Sequence, residues 1–125
     1  MATQPIHPVA SSRTYAAVAL TTAADGVSEA LNITGFTLSA IRMSTAWTDA
    51  AIGFQASVNG VTYYDVYDTA GNFLTYQTSA NRIVVFDPFI LSGLQYIKVV
   101  SETTAGVAVP QAAARVISFF LNDLT

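Results

Sequence analysis

The sequence predicts an all-β fold, an antiparallel β-sandwich, and three observations carry that expectation. Short runs rich in Val, Ile, Thr, Tyr and Phe alternate with Gly, Asn, Asp and Pro, the punctuation of strands and turns. Asn59-Gly60 joins two such runs, and this dipeptide suits the positive φ that a two-residue type I′ hairpin demands at both central residues. Helix propensity is concentrated in Gln111, Ala112, Ala113 and Ala114. These residues follow Pro110 and are too few to stand as a helix, so they read as a turn.

Taken in order, residues 1–12 hold Pro5, His7 and Pro8 among small polar residues and show neither strand nor helix period. They read as an extended N-terminal arm. Residues 13–125 form the β-sandwich domain, long enough for roughly eight short strands around one core. Strands are expected over 14–22, 35–43, 52–58, 61–67, 73–77, 82–86, 95–101 and 115–121. Before the Asn59-Gly60 turn the alternation of Ile52, Phe54, Ala56 and Val58 places these four toward the core. In the simplest register Val58 opposes Val61, Ala56 opposes Tyr63, and Phe54 opposes Asp65, which sets a carboxylate on the apolar face. Either a bulge after Tyr63 turns Tyr64 and Val66 inward, or Asp65 meets an arginine or backbone amides. Ile83, Val84, Val85 and Phe86 show no alternation, so they are expected mid-sheet, covered by the second sheet and a loop or by a neighbouring subunit. Asp87-Pro88 ends that strand.

Composition narrows the function. Charged residues make up 10% of the chain, against about a quarter in an average globular protein, and Lys98 is the single lysine. A free monomer guards its surface and strand edges with charge, so this surface suits burial against a partner, and a homo-oligomer is expected. The net charge of −3, without a Lys/Arg cluster, lacks the electrostatic footprint of sequence-independent nucleic-acid binding. No window approaches the roughly 18 uninterrupted apolar residues of a membrane-spanning helix, and the proline-broken start does not read as an export signal. The absence of cysteine removes disulfides, thiolate zinc sites and cysteine nucleophiles together.

The chemistry-bearing residues are sparse. A catalytic triad needs a histidine or an equivalent base, and the one histidine is His7, between Ile6 and Pro8 in the arm. Asp65, Asp68 and Asn72 surround a turn and offer oxygens of the kind Ca²⁺ takes, but their spacing matches no EF-hand loop, and Asx residues are ordinary in tight turns. Trp47, Tyr63, Tyr64, Tyr67 and Tyr76 are candidates for an aromatic platform against sugar rings. The competing expectation for Trp47 is a ring that plugs one end of the sandwich. No catalysis, metal or cofactor is expected.

The stretches LSAIRMSTAW at 38–47, IGFQASVNGVTYYDVYD at 52–68, RIVVFDP at 82–88, QYIKVVS at 95–101 and PQAAAR at 110–115 together resemble the cement or decoration proteins of tailed phages. The resemblance covers roughly residues 35–120 and lies in strands and turns, without a catalytic signature. It implies a jelly-roll-like sandwich on the capsid outer surface of the virion, a dimer or trimer that binds the major capsid protein. An extended arm would bridge neighbouring subunits, with Gln4, Pro5, Ile6, His7, Pro8 and Val9 as its partner contacts. Part of the same pattern also resembles galactose-binding-like sandwiches, which implies a carbohydrate-binding module of a phage tail or receptor-binding structure.

Overall fold

The computed structural model describes residues 13–20 and 26–123. The arm contacts expected at Gln4, Pro5, Ile6, His7, Pro8 and Val9 lie outside the described residues. Nine strands follow in chain order: β1 (Arg13–Leu20), β2 (Leu31–Asn32), β3 (Phe36–Arg42), β4 (Ala51–Ser57), β5 (Tyr64–Asp65), β6 (Thr75–Tyr76), β7 (Ile83–Val85), β8 (Tyr96–Glu102) and β9 (Arg115–Asp123). One sheet has the order β1-β9-β3-β7 and the other β2-β8-β4-β5, with β6 also paired to β4. Every pairing is antiparallel. With β5 and β6 taken as two pieces of one interrupted strand, the chain is a long hairpin rolled over on itself. Its outer strands β1 and β9 pair, then β2 with β8, β3 with β7, and β4 with β5 and β6, which is the jelly-roll arrangement.

The period of two fixes the core. On β9, Ile117, Phe119 and Leu121 are buried between the sheets, facing Ile52 and Phe54 of β4 and Ile97 and Val99 of β8. On β3 the alternation breaks, because Leu38 and Ile41 are both buried although three residues apart. The ladder explains it: Leu38 pairs with Leu121 and Ala40 with Phe120, so Ser39 is an extra residue. A bulge of this kind turns the following side chains over by one position. Ser39 is held there by Asn122, whose Nδ2 donates to its Oγ at 2.6 Å, and by the Phe86 amide, which donates to its carbonyl at 2.9 Å. Trp47 plugs one end of the sandwich as expected, its indole N–H donating to the Ala50 carbonyl at 3.1 Å.

Two local expectations are corrected, and a third difference is a strand that was not expected. The Asn59-Gly60 connection is not a two-residue type I′ turn. Gly60 has φ 75° but Asn59 does not enter the left-handed region. Instead, Ser57 Oγ accepts from the amides of Asn59 and Gly60, and Asn59 Oδ1 accepts from those of Val61 and Thr62. These side-chain bonds stabilise a wider loop, and pairing resumes at Ala56 with Tyr64 and Gln55 with Asp65. The one-residue shift moves Asp65 to the outer side and turns Val66 toward Phe54, whose carbonyl accepts the Val66 amide at 3.0 Å. The carboxylate thereby leaves the apolar face, and Val58 lies in the loop at 80% exposure. Second, Ile83 to Val85 is not mid-sheet: β7 is an edge strand with Ile83 and Val85 exposed. Third, β2 is a strand that no hydrophobic run announces, since it is two residues long and defined by its pairing with Ile97 and Tyr96.

Candidate functional site

The five aromatic residues do not gather into one platform. Trp47 is buried, and the Tyr76 ring packs edge-on against Phe54 and Phe86, at centroid distances of 6.3 and 4.6 Å. Tyr63 lies under Lys98, whose Nζ is 4.2 Å from the ring centroid, a cation–π contact. Tyr67 stacks at a tilt on Phe73, 4.6 Å away. Tyr64 is 70% exposed and lines an apolar cleft of about 290 Å³ with Ala56, Val58, Val66 and Leu94 at the end of the sandwich.

The acidic residues of the 65–72 segment are also divided. Asp65 accepts from Gln55 Nε2 at 3.4 Å on the outer side of β4 and β5. Asp68 turns on its own loop, its Oδ1 accepting the amides of Ala70 and Asn72 at 2.9 Å each. The structure assigns that carboxylate to turn geometry.

The acid that sequence reasoning passed over is Glu102, at the end of β8. It is 4% exposed, and its carboxylate lies against Gly53, where a Cβ would fall within 2.0 Å of Oε2. Glycine inside a strand marks a close approach of this kind, and Gly53 was the readable signal. Burial, with a smaller contribution from the Asp65 charge, pushes the Glu102 carboxyl up to about 7. The folded state therefore keeps a proton that the unfolded chain releases above about pH 4.5, its ordinary value. Stability should fall between about pH 4.5 and 7 and level off above, since the folded state binds more protons throughout that window. Glu102→Gln should remove this dependence and stabilise the protein at pH 8 by on the order of 1–2 kcal/mol, after allowance for solvent screening. Urea melts at pH 5 and pH 8 check it; an unchanged pH dependence in the variant contradicts the assignment.

The most extended candidate surface is the outer face of the β1-β9-β3-β7 sheet. Its rows are read from the register: Ile83, Arg42 and Ser118 lie side by side, and Val85, Ala40 and Phe120 form the next row. Ile83, Val85 and Val116 are exposed here, Val85 at 75%, and Phe89 is exposed in the turn that follows β7. Arg42 is the one charged side chain in the two rows. At the end of this face a cleft of about 420 Å³ opens between β3 and the start of β9, with Arg42 and Arg115 in its lining. The two line it from different sides of the sheet: Arg42 projects outward beside Ser118, whereas Arg115 keeps the inward phase of Ile117 and donates to Gln111 Oε1 and Thr48 Oγ1 at 3.2 Å each.

No family model matches the chain, and no curated protein matches it. Among solved structures, the crystal structure of the SPBc2 prophage-derived protein YomS is similar, with a TM-score of 0.57 and 16% sequence identity. The match covers 95% of this chain and 100% of that chain. At this identity the likeness is one of fold: the chain shares its β-sandwich with a phage-derived protein over nearly its whole length.

Proposed function

We propose that this chain is a non-catalytic structural protein of a tailed phage, which decorates and stabilises the capsid by binding the major capsid protein at its outer surface and associating with copies of itself. The observation that carries the reading is the outer face of the β1-β9-β3-β7 sheet. Ile83, Val85 and Val116 stand exposed on a chain with few charges, beside an edge strand that no lysine guards. Ile83 and Val85, successive outward residues of β7, form an exposed aliphatic strip of the kind that suits an interaction site, and an unguarded edge invites association. Low charge also lets such a face pack without desolvating many ions. The dispersal of the aromatic rings gives less support to a sugar platform than to this reading.

In this account the arm, residues 1–12, lies against a neighbour. With Pro5 and Pro8 fixed in φ, it has fewer unfolded conformations to lose than a glycine-rich tail, so ordering it on a partner costs less. Deleting residues 2–12 should leave the sandwich folded while lowering its occupancy on capsids, or shifting the free protein toward monomer in sedimentation. If the truncated protein binds particles and associates as the full chain does, the arm has no such role. The carbohydrate-binding reading, centred on exposed Tyr64, then gains the weight.

A further inference from the structure

We propose that β7 is the contact through which two copies of this chain join. The β1-β9-β3-β7 sheets of the copies pair edge to edge, β7 antiparallel to β7 about a two-fold axis at Val84. The inference rests on the self-associating part of the proposed function and is independent of capsid binding.

The backbone of β7 leaves one side open. The Met43 amide donates to the Arg82 carbonyl at 2.7 Å, and the Phe86 amide to the Ser39 carbonyl at 2.9 Å. Antiparallel ladders bond at every second pair, so the bonded pair between these two is Val84 with Ile41. Ile83 and Val85 stand opposite Arg42 and Ala40 in the alternate positions, and their N–H and C=O groups point away from β3. β7 ends its sheet, and among the described residues no strand pairs with that side.

A two-fold axis at Val84 satisfies these groups together. Ile83 of one copy then lies opposite Val85 of the other, and the two such pairs exchange about four backbone bonds. The contact is isologous, the same patch meeting itself, and it closes at two copies. Side chains agree with this register. On the outer face the row of Phe120, Ala40 and Val85 continues into Ile83, Arg42 and Ser118 of the second copy, so each exposed aliphatic residue of β7 gains a cross-strand neighbour. On the inner side the half-buried Val84 side chains face each other. Arg82 precedes the strand and Asp87 follows it. An antiparallel approach therefore sets the basic end of one β7 beside the acidic end of the other, where a parallel approach would match like with like.

The sequence of the strand points the same way. Ile83, Val84, Val85 and Phe86 have the unbroken apolar character of a strand inside a sheet, and edge-to-edge pairing makes β7 one. Its three residues hold neither the lysine, the proline nor the bulge with which edges are guarded. The one lysine, Lys98, lies on β8 in the other sheet.

Amide hydrogen exchange of the full-length protein, followed over a concentration series alongside sedimentation, tests the seam. Val84, bonded to Ile41, should exchange slowly at every concentration. Ile83 and Val85 should become protected as the dimer forms, and the sedimenting species should stop at two copies. Val85→Pro removes an outward N–H without touching a bond to β3, a change that edge strands accept. It should weaken association about thirtyfold, since two symmetry-related bonds are lost at once. Val85→Lys, which alters an exposed side chain and leaves the backbone alone, should weaken it as well. A dimer that forms with Ile83 and Val85 unprotected, or that both folded variants leave undiminished, would overturn the β7 seam while leaving self-association through another face. Growth beyond two copies would overturn the two-fold register in favour of head-to-tail pairing of β7 with β1. A chain that stays monomeric at every concentration would overturn the seam together with self-association, and would leave particle binding to be read from virion composition.

Discussion

Phe54→Ala should destabilise the protein by about 3–5 kcal/mol, the range for removing a buried phenylalanine side chain and leaving a cavity. Phe54 is 2% exposed and lies where the two sheets meet, with Phe86 and Tyr76 edge-on at 5.7 and 6.3 Å. Neither neighbour can fill the space without leaving its own packing. The control is Val58→Ala, four residues on in what the sequence reads as the same alternating face. Val58 belongs to the loop, and its truncation should change stability by less than about 0.5 kcal/mol. Guanidinium melts of the two variants check both values. Equal losses would mean that the 52–58 alternation continues into the core and that the one-residue register shift at β5 is wrong.

Gln111→Ala should cost about 2–4 kcal/mol, because it strips partners from several groups at once. Its amide joins the Thr48 backbone, Ser101 on β8 and Arg115 on β9. It therefore ties the loop carrying Trp47 to the connection between two strands of different sheets. Without it the Thr48 amide loses its acceptor, and Arg115 loses one of the two bonds that orient it. Gln111→Glu is the informative companion: it retains the acceptor toward Thr48 and Arg115 but removes the donor toward Ser101 and the Thr48 carbonyl. Its loss should fall between those of the parent and the alanine variant. Thermal or chemical melts read this order, and an alanine variant as stable as the parent would show that the network contributes nothing.

The strands that the sequence makes legible are those with one buried face and enough length to repeat it. Ile117, Phe119 and Leu121 alternate with Val116, Ser118 and Phe120, whereas β4 and β8 are long enough to read as strands although both of their faces are largely buried. Where the physics is tertiary, the pattern misleads. The uninterrupted run from Ile83 to Phe86 suggests a strand covered on both faces, yet it forms an edge whose outward residues remain exposed. The bulge at Ser39 is visible only as two core residues at an odd spacing. Asn59-Gly60 has the composition of a tight turn, but Ser57 and Asn59 side chains bind the loop amides and select a wider one. The aromatic residues were legible as types and not as places: Tyr76 enters the core while Tyr64, its neighbour in composition, stays outside. The adjacency of β3 and β9 was hidden for a simpler reason: Arg42 and Ser118, which pair across it, are 76 positions apart, and nothing local announces the pairing.

The proposed role in capsid assembly is read from the composition of virions purified from the source that expresses this chain. Quantitative mass spectrometry of intact, gradient-purified particles should find the chain at a fixed ratio to the major capsid protein, with a copy number on the scale of the capsid lattice. That ratio should persist in heads separated from tails. Absence from the particle, or a handful of copies that follow the tail fraction, would contradict capsid decoration.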